Sequence, residues 1–230
     1  AEYVAYTTFL RNDGYIRSGG SMKDPMSKRP ANLRIPTSWT DGSRPYVDWQ
    51  KAIMQTAPIQ NYQVSSSWGS DKGSIYISGG FLDQKGVIMK TYYNRADLRV
   101  NSTLNVGKKI KVGVNITPSY SKQADQDTQG KDTNLHTALM MPPLIQLYEN
   151  TVATGYPKSE FRVAYVSPYE KIKTMTDITE KAKLLSSIWG EYQIIKGLTF
   201  KSIYSNDFRV NIYEYFMPDH IKLNSIPIGN

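Results

Sequence analysis

Between Pro58 and Lys122 apolar residues take every second position over long runs, break at short polar turns, and resume. A period of two belongs to β-strands, whose successive side chains point to opposite faces, so the breaks predict antiparallel hairpins. In the first run Tyr62, Val64 and Trp68 share a face against Gln63, Ser65 and Ser67. Beyond a turn at 69–73, the return run from Ser74 to Asp83 puts Ile75, Ile77 and Phe81 together, and Gly79-Gly80 leaves room for a neighbour or a curve. In the third run Leu98, Val100, Leu104 and Val106 oppose Asp97, Arg99, Asn101, Thr103 and Asn105. After Gly107-Lys108-Lys109, Ile110, Val112, Val114, Ile116 and Tyr120 oppose Lys111, Gly113, Asn115, Thr117, Ser119 and Ser121.

The flanks read differently. Tyr3, Tyr6 and Leu10 sit at helical spacing, with a stop at Asp13-Gly14, which predicts a short helix over 2–12. Glycines and prolines break residues 13–46 into an irregular segment. Asp48 is a suitable N-cap for a second short helix carrying Trp49, Ala52, Ile53 and Thr56, ended by Pro58. The stretch 123–179 is too long for a passive hairpin loop and holds a short helix over Asp132–Met141, stopped by Pro142-Pro143. Two more strands follow, 181–195 and 198–209, joined at Lys196-Gly197, with Leu198, Phe200, Tyr204 and Phe208 on one face. The expected organisation is a loop segment with two short helices (1–57), four strands (58–122), a long loop with a short helix (123–179), two strands (180–209), and the start of a further loop or strand (210–230).

Periodicity leaves two environments open. In a soluble sandwich the apolar face meets another sheet; in a membrane barrel it meets lipid. Runs of 10 to 14 residues favour the barrel, since membrane strands need about 9–11 residues and ordinary strands have about five or six. Turn lengths favour it too. Tight connections (69–73, 107–109, 195–197) alternate with long ones (84–91, 123–179), as when short periplasmic turns alternate with extracellular loops.

Composition changes this picture little. A mean hydropathy of -0.48 and the lack of any run near the ~18 apolar residues of a spanning helix make no membrane helix expected. The 17 tyrosines suit both strands and membrane interfaces. Zero cysteines rules out disulfides and thiolate metal sites. The net charge of +8 is spread over scattered lysines, several in turns (Lys72, Lys108, Lys109, Lys196), so no nucleic-acid surface is expected. Ala1 is neither an initiator methionine nor the start of a signal peptide, and the pattern is unfinished at Asn230, so an internal stretch of a longer protein is expected.

No catalytic constellation emerges, and an enzyme is not expected. Asp125–Gly130 resembles a calcium loop but has His136 in place of the bidentate Glu, which reads as a polar loop tip. His136 and His220 are far apart, and no H-E-x-x-H or G-x-S-x-G string occurs. No metal ligand and no cofactor are assigned. Asn101 and Asn115 match the glycosylation pattern but fall inside strands. Trp39, Tyr148 and Tyr156 could equally stack on sugars or pack a loop core, so no ligand-binding residue is nominated.

Several strings carry a family resemblance. Val47-Asp48-Trp49-Gln50, Thr56-Ala57-Pro58-Ile59-Gln60-Asn61, Ser78-Gly79-Gly80-Phe81-Leu82-Asp83-Gln84-Lys85-Gly86-Val87-Ile88, and Arg95 with Leu98-Arg99-Val100-Asn101 resemble the barrel region of SusC/RagA-type TonB-linked outer-membrane proteins. So do Ala138-Leu139-Met140-Met141-Pro142-Pro143 and Ile195-Lys196-Gly197-Leu198-Thr199-Phe200, in the same order over 47–205. One departure is Ser67-Trp68-Gly69, where the family usually has Ser-Gly-Gly; a Trp there suits an interfacial girdle. The plug and the TonB-contacting segment lie outside the resemblance.

The resemblance implies an all-β fold: a partial antiparallel transmembrane β-barrel of about six strands, one arc of a wall of roughly 22, with short helices in long extracellular loops. It implies a bacterial outer-membrane location and import of glycans or peptides. Its implied partners are a SusD-like surface lipoprotein, outer-membrane lipid, an oligosaccharide or peptide substrate, and the TonB complex through an N-terminal region. Arg99, Asn101, Asn115 and Thr117 would then look inward. The alternative is a soluble β-sandwich that binds glycans.

Overall fold

The computed structural model describes residues 2–126, 133–147 and 166–218, and the backbone of 152–153, 156–157, 222–223 and 226–227. Two compact units make up the chain: residues 55–126 with 175–216, and the remainder. The first unit is one antiparallel sheet of six strands in sequence order. They are β1 (Ile59–Ser70), β2 (Gly73–Lys85), β3 (Tyr92–Val106), β4 (Ile110–Ala124), β5 (Thr176–Ile195) and β6 (Leu198–Phe216). The other described sheets are ladders of two-residue strands.

Three of the five pairings follow from the connections, because a turn of two or three residues can only return a strand beside itself. Gly107 (φ 68°) and Gly197 (φ 90°) supply the left-handed backbone that closes the β3–β4 and β5–β6 turns. The turns are tied sideways as well. Asn105 donates its N–H to Lys72 O (2.8 Å), and Gln193 donates its N–H to Lys109 O (2.8 Å). Within the sheet, the β3–β4 ladder skips Leu98–Pro118 and Arg99–Thr117, where Pro118 has no N–H to give.

Every strand is longer than its pattern indicates. β5 begins at Thr176 and β6 runs on to Phe216, seven residues beyond Arg209. Tyr213 and Tyr215 face away from Ile212 and Phe216 there, so large apolar groups on both sides blur the alternation.

The second unit holds helices and two small cores. Helix α1 spans Glu2–Arg17, running through the Asp13-Gly14 stop. Tertiary packing overrides that signal: Tyr15, just beyond it, is 5% exposed and must stay on the helix face it packs from. The Arg29 guanidinium lies 4.8 Å from the Tyr15 ring centre, and that of Arg11 lies 4.3 Å from the Trp39 ring centre. Arg29 also donates to Asn12 Oδ1 (2.7 Å), and the Arg34 Nε–H donates to Arg29 O (2.9 Å). Arg29 is only 2% exposed, so this core is built on stacked guanidinium and aromatic planes as much as on aliphatic groups.

The second core joins α2 (Trp49–Ile53), α3 (Asn134–Met140) and α4 (Pro168–Thr174). Asp48 caps α2 by accepting the Lys51 N–H (3.0 Å). Thr133 caps α3, accepting the His136 N–H at 3.3 Å. Ile53, Leu144, Ile145 and Ile172 are buried, and the Trp49 indole N–H donates to Pro142 O (3.0 Å). Helix α4 went unread in the sequence, although Ser167-Pro168 with Glu170 in the first turn is a helix-start signature.

Asp24 closes the first core. Lys28 Nζ (2.8 Å), the Ser21 N–H (2.9 Å) and the Tyr15 hydroxyl (2.9 Å) all donate to its carboxylate. These bonds, that from Lys28 first, hold its pKa at about 2. A folded pKa below the usual carboxylate value stabilises the core at pH above about 4, and that contribution fades as pH falls through about 2. Carbon-detected NMR of the Asp24 carboxyl should therefore show it still ionised at pH 3.5, with amide exchange at Gly20 and Ser21 accelerating only below that. A midpoint at or above 4, or unchanged exchange down to pH 2, would contradict the bonding described.

Candidate functional site: the two faces of the sheet

Residues paired across an antiparallel ladder share a face, so the register assigns a side to every strand position. One face is apolar. On β4 it presents Ile110, Val112, Val114, Ile116, Pro118 and Tyr120 in unbroken succession. Val106, Leu104, Val100, Leu98 and Ala96 of β3 line up beside them, as do Tyr192, Ile188, Leu184 and Ala182 of β5. Trp68, Val64 and Tyr62 continue the face on β1, and Phe200, Tyr204, Phe208 and Val210 on β6.

On β1 to β5 the apolar rows stop abruptly. Beyond the row Tyr62, Phe81, Ala96, Tyr120 and Ala182 comes the row Gln60, Asp83, Asn94, Lys122 and Glu180, while β6 carries Ile212 opposite Glu180. In that polar row Lys122 and Glu180 form an ion pair (2.7 Å), and the Tyr120 hydroxyl donates to Glu180 (2.7 Å). From Tyr120 to Ile110 is about 33 Å along a strand, and at a tilt of about 45° that gives a band about 23 Å tall, close to the apolar belt of a membrane barrel.

The face is uncovered. Val64 is 77% exposed, Tyr204 71% and Trp68 66%. Monomeric soluble proteins seldom leave more than a few hundred Å² of contiguous apolar surface in water, and a face spanning six strands exceeds that. Side chains that repeat an apolar pattern without burying it among these residues leave a broad apolar surface open.

The opposite face is polar, charged and hydrogen-bonded. Arg95, Asp97, Arg99, Asn101, Thr103 and Asn105 of β3 share it with Asn115, Thr117, Ser119 and Ser121 of β4. Lys181, Lys183, Ser187 and Glu191 of β5 and Lys201, Ser205, Asp207 and Arg209 of β6 extend it. Arg95 pairs with Asp97 (3.1 Å), Lys201 with Glu191 (2.7 Å), and Arg209 Nε donates to Asp207 (2.9 Å). Asn115 Nδ2 donates to Ser187 Oγ (3.0 Å). Trp189 lies over Gly113, where an added Cβ would sit 2.2 Å from the indole, and Lys201 Nζ is 4.8 Å from its ring centre. Such a surface can hydrogen-bond a polar solute or water along its whole length.

Arg99, Asn101, Asn115 and Thr117 stand together on this polar face, Asn101 directly opposite Asn115. Trp39 is 4% exposed beneath Arg11, which makes it a packing residue of a loop core. The Tyr148 and Tyr156 side chains, His220 and most of the calcium-like loop lie outside the described residues. Among the described residues no three His, Asp or Glu side chains cluster as metal ligands.

Known proteins share this architecture. No family model matches the chain. TonB-dependent receptor P3 of Formosa agariphila is 28% identical over 163 residues, 68% of this chain and 16% of the receptor. TonB-dependent receptor P39 of the same organism is 22% identical over 94% of this chain and 21% of its own length. Among solved structures, the RagAB peptide importer in the closed-closed state superposes with a TM-score of 0.59 at 25% identity, covering 76% of this chain and 20% of that one. The chain spans about a fifth of the length of the curated relatives it matches. With its uncovered apolar band and its polar reverse face, this six-stranded antiparallel sheet is homologous to the TonB-dependent receptors and has the RagAB transporter as a structural neighbour, along one stretch of their length.

Proposed function

We propose that this chain forms part of the wall of a TonB-dependent transporter in the bacterial outer membrane, importing oligosaccharides or peptides together with a SusD-like surface lipoprotein. The observation that carries the reading is the uncovered apolar band, about one bilayer core in height and ended by a polar row, backed by a polar face across the same strands. Lipid covers the band, and the polar face lines the lumen. The tight turns point to the periplasm, and residues 1–57 with the β4–β5 connection lie outside the cell. Energy reaches the pore through the TonB complex, which engages a region other than this one. A sheet with two open edges cannot persist in lipid, so these 230 residues alone do not conduct.

The full-length protein should fractionate with outer membranes, migrate anomalously on denaturing gels until heated, and co-purify with a surface lipoprotein. A soluble full-length protein would refute the reading. Uptake of labelled oligosaccharides against labelled peptides, in cells with and without the gene, separates the two substrate classes.

A further inference from the structure

All three tight turns carry lysine: Lys72 between β1 and β2, Lys108 and Lys109 between β3 and β4, and Lys196 between β5 and β6. All four are exposed, and none is in an ion pair among the described residues. Other lysines at this end of the sheet are engaged, Lys201 with Glu191 and Lys111 over the Trp189 ring. Asp71 is the one carboxylate in the three turns.

These lysines belong to one structure. Asn105 Nδ2 donates to Asp71 O (2.9 Å), and its N–H donates to Lys72 O, which ties the first turn to the strand leading into the second. The bond from Gln193 to Lys109 O ties the second turn to the strand leading into the third. A polar hollow of about 470 Å³ opens on the polar face between Asn105, Lys111 and Glu191, with Asp71, Lys108 and Lys109 at its turn end. The bonds between neighbouring turns hold the lysines in one rim, with the carboxylates of Asp71 and Glu191 on its polar-face side.

We propose that this rim binds the anionic headgroups of phospholipids in the leaflet that meets the turns. The apolar face decides for lipid over another polyanion. Its last rows, Trp68, Val106, Ile110, Tyr192 and Phe200, end beside the turns, so the lysines stand where a bilayer exchanges acyl chains for phosphates. Aromatic rings sit well at that depth, and lysine stems lie along apolar surface while their ammonium groups reach the phosphate plane. A zwitterionic headgroup offers no net charge there. An anionic one does, and the attraction accumulates over several lysines within a Debye length of the surface.

This inference rests on the transporter reading, and the test keeps the two apart. Full-length protein is placed in nanodiscs of phosphatidylethanolamine with one lipid in four phosphatidylglycerol, and the lipids retained on ejection are counted by native mass spectrometry. Wild type should retain phosphatidylglycerol at about threefold its bulk share. The combined variant Lys72→Gln, Lys108→Gln, Lys109→Gln and Lys196→Gln should fall to the bulk share, and the matching Lys→Arg variant should keep the enrichment. Equal enrichment in wild type and the Gln variant overturns the proposal. Loss of wild-type enrichment in about 10 mM inorganic phosphate overturns it in favour of a free-anion site. Capture of polyglutamate with phosphatidylglycerol left at its bulk share overturns it in favour of protein docking. A protein that inserts and is heat-modifiable yet shows no enrichment sinks the lipid rim alone; one that is soluble sinks the transporter reading and the rim with it.

Discussion

Replacing Ile188 with Arg should cost the assembled full-length protein about 2–4 kcal/mol, enough to prevent stable insertion of a marginal barrel. Ile188 is 58% exposed in the middle of the apolar rows, between Val114 of β4 and Tyr204 of β6. In lipid a guanidinium there has no partner and no water. Ser205→Arg is the control, because Ser205 stands on the polar face one position from Tyr204. It should stay within about 0.5 kcal/mol of wild type. Urea titration of the protein folded into liposomes measures both. If both substitutions cost the same, the assignment of the faces is wrong.

Trp49→Ala should have the second largest effect, a loss of about 3–5 kcal/mol confined to the small core of α2, α3 and α4. Trp49 is 3% exposed and also satisfies Pro142 O, so its removal leaves both a cavity and a bare carbonyl. These helices are of five to seven residues, below the length at which a helix holds itself together, so their order depends on the packing. Limited proteolysis of the full-length protein should show new cuts at residues 44–54 and 134–147, with the strands still protected. Cleavage spreading equally into 59–124 would mean that the core is not a separate structure.

The two expectations differ in how much of each was legible. Strand identity and the sidedness of Leu98–Val106 and Ile110–Tyr120 follow from alternation within a few residues, and the Asp48 cap follows from one side chain and its own backbone. Signals that local survive in a bare string of letters. Other features were missed or misjudged for a common reason. Asp13-Gly14 reads as a stop, yet α1 continues because Tyr15 packs against Arg29, a residue whose approach no local pattern announces. Residues 210–216 read only as the start of a further loop or strand because Tyr213 and Tyr215 put bulk on the polar face and blur the alternation. Helix α4 has a start signature in Ser167-Pro168, set inside a stretch whose length otherwise marks a loop.

The amino-acid sequence by itself determined a set of long, two-sided antiparallel strands with tight turns between them, since the period of the side chains is a property of each strand alone. The motif order determined which family those strands resemble. Only the tertiary structure decided that the six apolar sides coincide on one face, that their rows end together on β1 to β5 at the row of Lys122 and Glu180, and that nothing in the sheet covers them. It also decided that Lys72, Lys108, Lys109 and Lys196, scattered over more than a hundred residues, lie along one edge. Register is the physical reason: it is set by pairing between strands far apart in the chain, and a slip of one residue anywhere would have sent a strand's apolar residues to the other face.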